Sequence, residues 1–222
     1  CLSVDESFKI QNEETEYHHT LYFYDQANNL VKTLPPSAVN PSNTHNEALA
    51  TVYAYNSLNH LISQESPDGG FKQYWYDNLG REVLSQNAVQ RGKRLFSYTR
   101  YDGLNRVVEI GEIDLSNNSI FNNSISFSNN IIDYNSLETI TRSNNLLTGL
   151  FNESNNNVSQ IVRTQITKTY YDTAPFSNVE NAFEYESQDN LRSRVACITI
   201  DHDGNGEYEY GTFYSYDVTK TD

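Results

Sequence analysis

The segment DHDGNGEYE contains the residue types and spacing that best suit chemistry in this sequence. Asp201, Asp203 and Asn205 occupy the first, third and fifth positions of a loop of the EF-hand type, and Gly206 stands at the sixth position, where such loops turn sharply. Glu209 stands at the ninth position, which also contributes a ligand. Carboxylate and amide oxygens are the ligands that Ca²⁺ prefers. The spacing therefore predicts a calcium site formed by Asp201, Asp203, Asn205 and Glu209.

The same segment departs from a calcium loop in two respects. Thr212 stands at the twelfth position, where a bidentate Glu is expected, and no helical pattern flanks the loop. A bound ion would therefore need an acidic residue from elsewhere in the chain. The alternative is a polar hairpin tip between a strand at 195–200 and a strand at 210–216. Both interpretations stay open, and Ca²⁺ is the only cofactor that the sequence suggests.

No other group of residues has the spacing of a known catalytic site. The sequence contains no GxSxG, HExxH, Gly-rich phosphate loop or CxxC pair. His18 and His19 are adjacent, and adjacent strand residues point to opposite faces, so we do not expect them to share a metal ion. A glycosidase uses two carboxylates without fixed spacing, but among 29 acidic residues most are simply solvated. We therefore expect no enzymatic activity and no catalytic residue.

Charge and composition exclude several partners. A net charge of -14 and a pI near 4.7, with no Lys/Arg cluster, repel nucleic-acid phosphates. No apolar run reaches the roughly 18 residues of a membrane span, and the first residues lack the features of a signal peptide. The chain contains no Met, so we expect a piece of a longer polypeptide whose export signal lies outside this segment. Its two cysteines, Cys1 and Cys197, are expected to be unrelated thiols, although the sequence does not decide whether they pair.

A repeated pattern indicates the elements that position these residues. Four units in a row are centred on Tyr24, Tyr55, Tyr76 and Tyr101. The residue that follows each centre is Asp25, Asn56, Asp77 or Asp102. The fourth residue after each centre is Asn28, Asn59, Gly80 or Asn105. Two positions before each centre stands another Tyr or a Thr, which points to the same face of a strand as the central Tyr.

These residue types predict a β-hairpin in each unit. Asp and Asn accept hydrogen bonds from backbone N–H groups two residues later and open turns, while Gly and Asn tolerate positive φ. Together they are typical of a type I turn closed by a left-handed residue and a bulge. The third residue after each centre, at positions 27, 58, 79 and 104, is apolar and is expected to pack under the turn. A single hairpin is marginal in water, so the units must stack, and the predicted fold class is mainly β.

The repeats resemble those of a known family. LYFYDQANNLVKTLPP, TVYAYNSLNHLISQESPDGG, KQYWYDNLGREVLSQNAV and SYTRYDGLNRVVEIGEI are similar to the tyrosine-aspartate (YD) repeats of RHS proteins. These are large bacterial polymorphic toxins and surface proteins, and teneurins and the C subunits of insecticidal toxin complexes share the repeat. The resemblance resumes at QITKTYYDTAPF and GTFYSYD. The residue pattern of the repeats is most similar to that of RHS proteins of Bacteroidota.

This resemblance implies repeated antiparallel β-hairpins that form part of a spiralling shell, which encloses a C-terminal effector that is often toxic. It assigns stacking and turn closure, and no catalysis, to the motif positions. Those positions are Tyr24, Asp25, Tyr55, Asn56, Tyr76, Asp77, Tyr101, Asp102, Tyr171, Asp172, Tyr216 and Asp217. The family's self-cleaving segment, an Asp-rich stretch before the effector, has no match here.

Four segments organise the chain. Residues 1–20 are a lead-in, 21–113 contain the four consecutive YD repeats, 114–164 are an Asn/Ser-rich insertion, and 165–222 contain further divergent, truncated repeats. Within the insertion, apolar spacing predicts a short helix at about 136–151. Pro175 and Lys220 stand four residues after Tyr171 and Tyr216, so these two turns cannot be of the same type as the others.

Two functions follow from the repeats. The first is a structural segment of a secreted or surface RHS protein, whose partners are neighbouring repeats and an enclosed C-terminal effector of its own polypeptide. The second is an extracellular adhesin that binds carbohydrate or protein and encloses nothing. Secretion machinery or cell-surface glycans are the external partners that these functions imply. The location of the aromatic faces separates the two, because Tyr rings used for packing cannot bind a glycan.

Overall fold

The structure is a computed structural model that describes residues 19–39, 44–114, 127–128, 131–132, 134–143, 162–175 and 188–216. The chain divides into two compact units. The first comprises Cys1–Trp75 with Ser85–Gly92, and the second comprises Tyr76–Leu84 with Lys93–Asp222. Within the described residues, no helix combines the length and the apolar character that crossing a membrane requires.

The first unit contains consecutive antiparallel strands. The strands are β1 (Leu21–Tyr24), β2 (Leu30–Leu34), β3 (Thr51–Tyr55), β4 (Leu61–Ser66) and β5 (Gly70–Tyr76), whose last residue belongs to the second unit. Each strand pairs with the next along the chain. Two short 3-10 helices, Pro36–Ala38 and Glu47–Leu49, lie between β2 and β3.

The next two elements include residues of both units. They are β6 (Glu82–Gln86) and helix α1 (Ala88–Lys93). Asn87 and Gln90 cap the start of α1 reciprocally, because the Asn87 side chain accepts from Gln90 N at 2.9 Å and the Gln90 side chain accepts from Asn87 N at 3.0 Å. This exchange satisfies two backbone donors that a helix start otherwise leaves without partners.

The second unit contains the remaining strands. They are β7 (Leu95–Tyr101), β8 (Val107–Asp114), β9 (Phe127–Ser128), β10 (Ile131–Ile132), β11 (Val162–Tyr171), β12 (Val195–Asp201) and β13 (Tyr210–Phe213). Strands β7, β8, β11, β12 and β13 are successive antiparallel neighbours, while β9 pairs with β10. The predicted mainly β fold of antiparallel hairpins is therefore confirmed.

A register shift precedes the motif tyrosine in four hairpins. It lies next to Tyr24 in β1, Tyr55 in β3, Tyr101 in β7 and Tyr171 in β11. Such a shift is a β-bulge, which places an extra residue on one strand and increases the local twist. The motif tyrosine therefore stands at the place where each strand leaves regular pairing and enters its turn.

Apolar and aromatic side chains fill the interior of each unit. Leu34 and Trp75 are fully buried in the first unit, and Phe96 and Ile113 are fully buried in the second. Tyr98 is also buried in the second unit. Its hydroxyl donates to Glu109 Oε1 at 2.7 Å, which satisfies the polar end of this aromatic side chain. Burial of Tyr98 raises the pKa of its hydroxyl, and the bond of that hydroxyl to the Glu109 carboxylate raises the pKa further.

A short helix does lie in the predicted insertion. Helix α2 (Tyr134–Arg142) buries Leu137 and Thr141, which are four residues apart and therefore lie on one face. The next residue after each of these forms an ion pair, in which Arg142 Nη2 binds Glu138 Oε1 at 2.8 Å. The sequence placed this helix at 136–151, and its residues beyond 143 lie outside the described part of the chain. The four-segment organisation as a whole stays a prediction.

One expectation about the turns is wrong. The leucines at the third position after the motif tyrosine do not pack under the turn: Leu58, Leu79 and Leu104 are 56%, 66% and 70% exposed. The backbone explains the difference, since the N–H of each of these leucines donates to the turn's Asp or Asn side chain. This bond places the leucine at the tip of the turn, where its side chain extends into solvent.

Cys197 should be unreactive in the folded protein. It is fully buried in β12, whereas Cys1 lies outside the described residues, so whether the two cysteines pair stays undecided. Burial raises the pKa of the Cys197 thiol to about 11, which leaves roughly one thiolate in a thousand at about pH 8. We expect a disulfide reagent to label Cys197 at least about a hundred times faster in denaturant than in buffer. Comparable rates in the two solvents would contradict the buried position.

Candidate functional site

The turn at Asp77 is the most fully bonded example of the repeat. Asp77 Oδ1 accepts from the backbone N–H groups of Leu79 and Arg81, both at 2.9 Å. Its Oδ2 binds the Arg81 guanidinium, with Nε at 2.7 Å and Nη2 at 2.6 Å. Gly80 has a φ of 76° and donates to the Asp77 carbonyl at 3.1 Å. Asp77 is 1% exposed, so this carboxylate has exchanged its water for four fixed donors.

Three other turns repeat this arrangement with small changes. Asp102 accepts from Leu104 N and Arg106 N and binds Arg106 Nε at 2.6 Å. In the first unit, the side chains at 25 and 56 each accept from the backbone N–H groups two and four residues later. The residues with positive φ are Asn28, Asn59 and Asn105, at 65°, 59° and 64°. The structure therefore brings the predicted Asx and Gly/Asn positions together in every one of these turns.

Three motif tyrosines of the second unit, at positions 101, 171 and 216, pack on an arginine of the preceding turn. The Arg81 guanidinium lies over the Tyr101 ring, 4.6 Å from its centroid, and the Tyr101 hydroxyl donates to the carbonyl of Glu82 at 2.9 Å. A cation over an aromatic face is attracted to the electron density of the ring. The preceding turn therefore contacts one face of the Tyr101 ring and also accepts the hydrogen bond of its hydroxyl.

The same contact recurs at two further tyrosines. Arg106 lies 4.2 Å from the Tyr171 ring centroid, and Arg194 lies 4.8 Å from that of Tyr216. The hydroxyls of Tyr171 and Tyr216 each donate at 3.1 Å to the carbonyl of the residue after that arginine. We refer to Arg81–Tyr101, Arg106–Tyr171 and Arg194–Tyr216 as the Tyr–Arg pairs. They recur in one geometry although the intervening chain varies greatly in length.

Side chains also connect successive turns directly. Arg81 Nη1 donates to Asn105 Oδ1 at 2.8 Å, and Arg106 Nη1 binds Asp172 Oδ2 at 3.1 Å. In the first unit, Asn29 Nδ2 donates to Asn59 Oδ1 at 3.1 Å. The fifth residue after the motif tyrosine therefore reaches from its own turn to the following one.

Hydrogen bonds and charge stabilise the ionised form of these turn acids. Backbone donation from Arg106 is the main cause of a lowered pKa for Asp102, and backbone donation from Ser193 is the main cause for Asp172. The Arg106 guanidinium also lowers both pKa values, and bonding to Asp102 and Asp172 raises its own pKa. In the first unit, bonds from Asn29 lower the pKa of Asp25.

The turn after Tyr171 differs from the others, as its sequence indicated. Asp172 itself has a φ of 67°, and its N–H donates to the carbonyl of Arg194, which lies 22 positions further along. A long excursion thus separates the two halves of the turn, yet β12 returns beside β11. For the last motif position, Tyr216 is described, whereas Asp217 lies outside the described residues.

The arginines of the Tyr–Arg pairs were not identified from the sequence. Arg81 and Arg106 occupy the fifth position after the motif tyrosine, where the first two units have Asn29 and His60. This column could have been found, because both residues are cationic and precede the returning strand. Arg194 could not have been found in this way, because it does not stand at the fifth position after a motif tyrosine.

The acidic loop forms the tip of the hairpin between β12 and β13. Candidate ligand oxygens of Asp201, Asp203 and Glu209 lie within 4.8 Å of one another. Asp201 is buried, and its two oxygens accept from Gly204 N at 2.7 Å and Gly206 N at 3.0 Å. These bonds fold the loop around the carboxylate.

The remaining loop residues are less well placed for an ion. The Asn205 side-chain oxygen accepts from Glu207 N at 2.7 Å, and its amide donates to Asp203 at 3.1 Å. Glu209 Oε2 accepts from His202 N at 2.9 Å and lies 3.6 Å from the His202 ring nitrogen. Three acidic side chains come together here, which is about half of the six to eight oxygen ligands that Ca²⁺ takes. The calcium site stays a prediction.

Adding Ca²⁺ tests that prediction. At about 10 mM Ca²⁺, a weak site of the extracellular type should raise the free energy of unfolding by about 1–3 kcal/mol, because only the folded loop gathers the ligands. Asp203→Asn should remove most of this increase. Mg²⁺ at the same concentration is the control, since its smaller octahedral shell fits this loop poorly. Equal unfolding midpoints with and without Ca²⁺ would contradict the site.

Comparison with known proteins gives matches only at the level of solved structures. No protein-family model matches the chain, and no curated protein matches it significantly. The crystal structure of TcdB2-TccC3 is similar with a TM-score of 0.42 and 12% identity, over 89% of this chain and 8% of that chain. The Photorhabdus luminescens Tc holotoxin pore is similar with a TM-score of 0.42 and 15% identity, over 90% of this chain and 9% of that chain. The chain thus spans less than a tenth of the length of the structures that it matches.

Proposed function

We propose that this chain is a non-catalytic wall segment of an RHS-repeat protein, whose β shell encloses and carries a C-terminal effector. The observation that supports this proposal best is the recurrence of the Tyr–Arg pairs. In each pair, one face of the tyrosine ring is covered by a guanidinium and the hydroxyl is bonded to backbone. These tyrosines join one hairpin to the next, which is what a continuous wall requires.

The connections between turns add a second support. A wall that must exclude protease from its interior needs hairpins that stay in register, and bonds such as Arg106–Asp172 restrain one turn relative to the next. The motif sequences support the assignment to YD repeats, and the residue pattern of these repeats supports a bacterial, Bacteroidota-like source. The parent protein would be secreted or held at the cell surface, where secretion machinery is its natural external partner.

The adhesin stays the alternative, and one observation favours it. Tyr208 and Tyr210, beside the acidic loop, are 44% and 65% exposed. Exposed aromatic rings next to carboxylates are a common arrangement for binding sugars or another protein. These two tyrosines lie outside the YD motif positions.

Limited proteolysis of the intact parent polypeptide distinguishes the two functions. If the repeats form an enclosing wall, the C-terminal region survives protease in buffer and is cleaved once mild denaturant opens the repeats. The same C-terminal region produced alone is the matched control, and it should be cleaved readily in buffer. Survival of the isolated region would mean that it is intrinsically resistant, and cleavage of the intact protein at that region in buffer would contradict encapsulation.

A further inference from the structure

A cleft in the second unit lies beside β8 and β11. Its volume is about 450 Å³, and its walls come from strand residues and from the segment that follows Tyr171. The lining residues that bear on its chemistry are Arg100, Arg106, Glu109, Lys168, Tyr170 and Pro175. The motif positions form only part of this lining, since Lys168, Tyr170 and Pro175 belong neither to the YD motif nor to the acidic loop.

The carboxylate opposite Lys168 already accepts from three other donors. Glu109 and Lys168 are direct cross-strand partners in β8 and β11, an arrangement that normally allows an ion pair. Glu109 is 4% exposed, however, and binds Tyr98 at 2.7 Å, Arg100 at 2.9 Å and Arg163 at 3.0 Å. Its charge is therefore shared with two arginines rather than with Lys168. Lys168 forms no ion pair with any residue in the described part of the chain.

The charges around the cleft leave one cation in excess. The other lining acid, Asp102, binds Arg106, which also binds Asp172 outside the cleft. The lining therefore has three cationic side chains, at 100, 106 and 168, and two anionic side chains, at 102 and 109. A single excess positive charge in a chain of net charge -14 is a local reversal of sign. It favours a ligand with one negative charge, since a dianion would also face the two carboxylates.

We infer that this cleft binds a monocarboxylate, with the carboxylate at the Lys168 ammonium and an apolar or aromatic body against Tyr170 and Pro175. The ammonium of a half-buried lysine is a strong donor that gains an acceptor in the complex. Both a free organic acid and an acidic side chain of a protein segment present this chemistry. The inference does not depend on the proposed function, because an adhesin could use the same cleft.

Saturation-transfer NMR on the full 222-residue chain tests the site, with benzoate as the probe and benzamide as its neutral analogue. Benzoate should bind with a Kd in the millimolar range, and benzamide should give no saturable signal up to about 50 mM. Lys168→Gln keeps a polar, slightly shorter side chain and removes its charge, and it should weaken benzoate binding about three- to five-fold. Arg192→Gln, at an exposed arginine outside the cleft, should leave binding unchanged.

Three results would overturn the inference: no benzoate binding, equal binding of benzamide, or equal binding by the Lys168→Gln variant. The unfolding midpoints of both variants identify any loss of benzoate binding that comes from misfolding. Lys168→Arg is a further variant, which keeps the charge and should therefore keep benzoate binding. A short amidated peptide with one Glu, compared with its Gln counterpart, identifies the source of the carboxylate. Tighter binding of the Glu peptide than of benzoate indicates a protein segment, and weaker binding indicates a free acid.

Discussion

Replacing Asp77 with Ala is expected to lower the free energy of unfolding by about 3 kcal/mol. The substitution removes the acceptor for two backbone N–H groups and the only carboxylate that Arg81 pairs with in the described residues. Because Asp77 is 1% exposed, water does not readily replace it at Leu79 N and Arg81 N. The Arg81 guanidinium also loses its restraint, which should weaken its contact with the Tyr101 ring.

Two matched variants separate the contributions at this turn. Asp77→Asn keeps an oxygen for the backbone donors but removes the charge, so it should cost about 1–2 kcal/mol. The same Asp-to-Ala change at Asp25, which accepts the same two backbone bonds in an exposed turn, should cost less because water takes over as acceptor. Urea unfolding followed by circular dichroism measures all three. An equal cost at Asp25 and Asp77 would show that burial and the arginine contribute nothing.

The hairpins could be predicted because their information is local. Asp77, Gly80 and the residues between them determine a turn through bonds that span at most four residues, so the residue types alone indicate it. The same reasoning identified the strands, since a turn of this type connects antiparallel neighbours. Composition and repetition then sufficed for the mainly β fold.

Contacts between hairpins could not be predicted in the same way. Tyr171 packs on Arg106, 65 positions earlier in the chain, and Tyr216 packs on an arginine that follows a long excursion. No fixed spacing relates such partners, so the sequence indicated that the tyrosines stack without identifying what they stack on. The exposed leucines illustrate the opposite error. Leu79 is apolar in a regular column, but its backbone bond to Asp77 decides its position.

Replacing Gly204 with Ala is expected to have the largest effect, a loss of about 4 kcal/mol in the free energy of unfolding. A Cβ at this position would lie 1.7 Å from the Arg163 carbonyl oxygen and 2.8 Å from the carbonyl carbon, and Gly204 has a φ of +74°. The obstacle is backbone of β11, which cannot rotate away as a side chain can. Strand β11 is also attached to the loop, since Gln165 N donates to the His202 carbonyl at 3.0 Å. Relief of the clash must therefore move the loop or break this bond.

Gly206→Ala is the matched control, because it makes the same change two residues away in the same loop. Gly206 has a φ of +91°, but nothing lies within 4 Å of an added Cβ, so only the backbone strain of about 1 kcal/mol is expected. The difference between the two variants isolates the contact with Arg163. Thermal unfolding of both variants measures it, and similar midpoints would mean that the acidic loop does not approach β11 as closely as the structure places it. A large difference would instead support close packing of the loop against β11. This packing keeps Asp201 in the position from which it accepts hydrogen bonds from Gly204 N and Gly206 N.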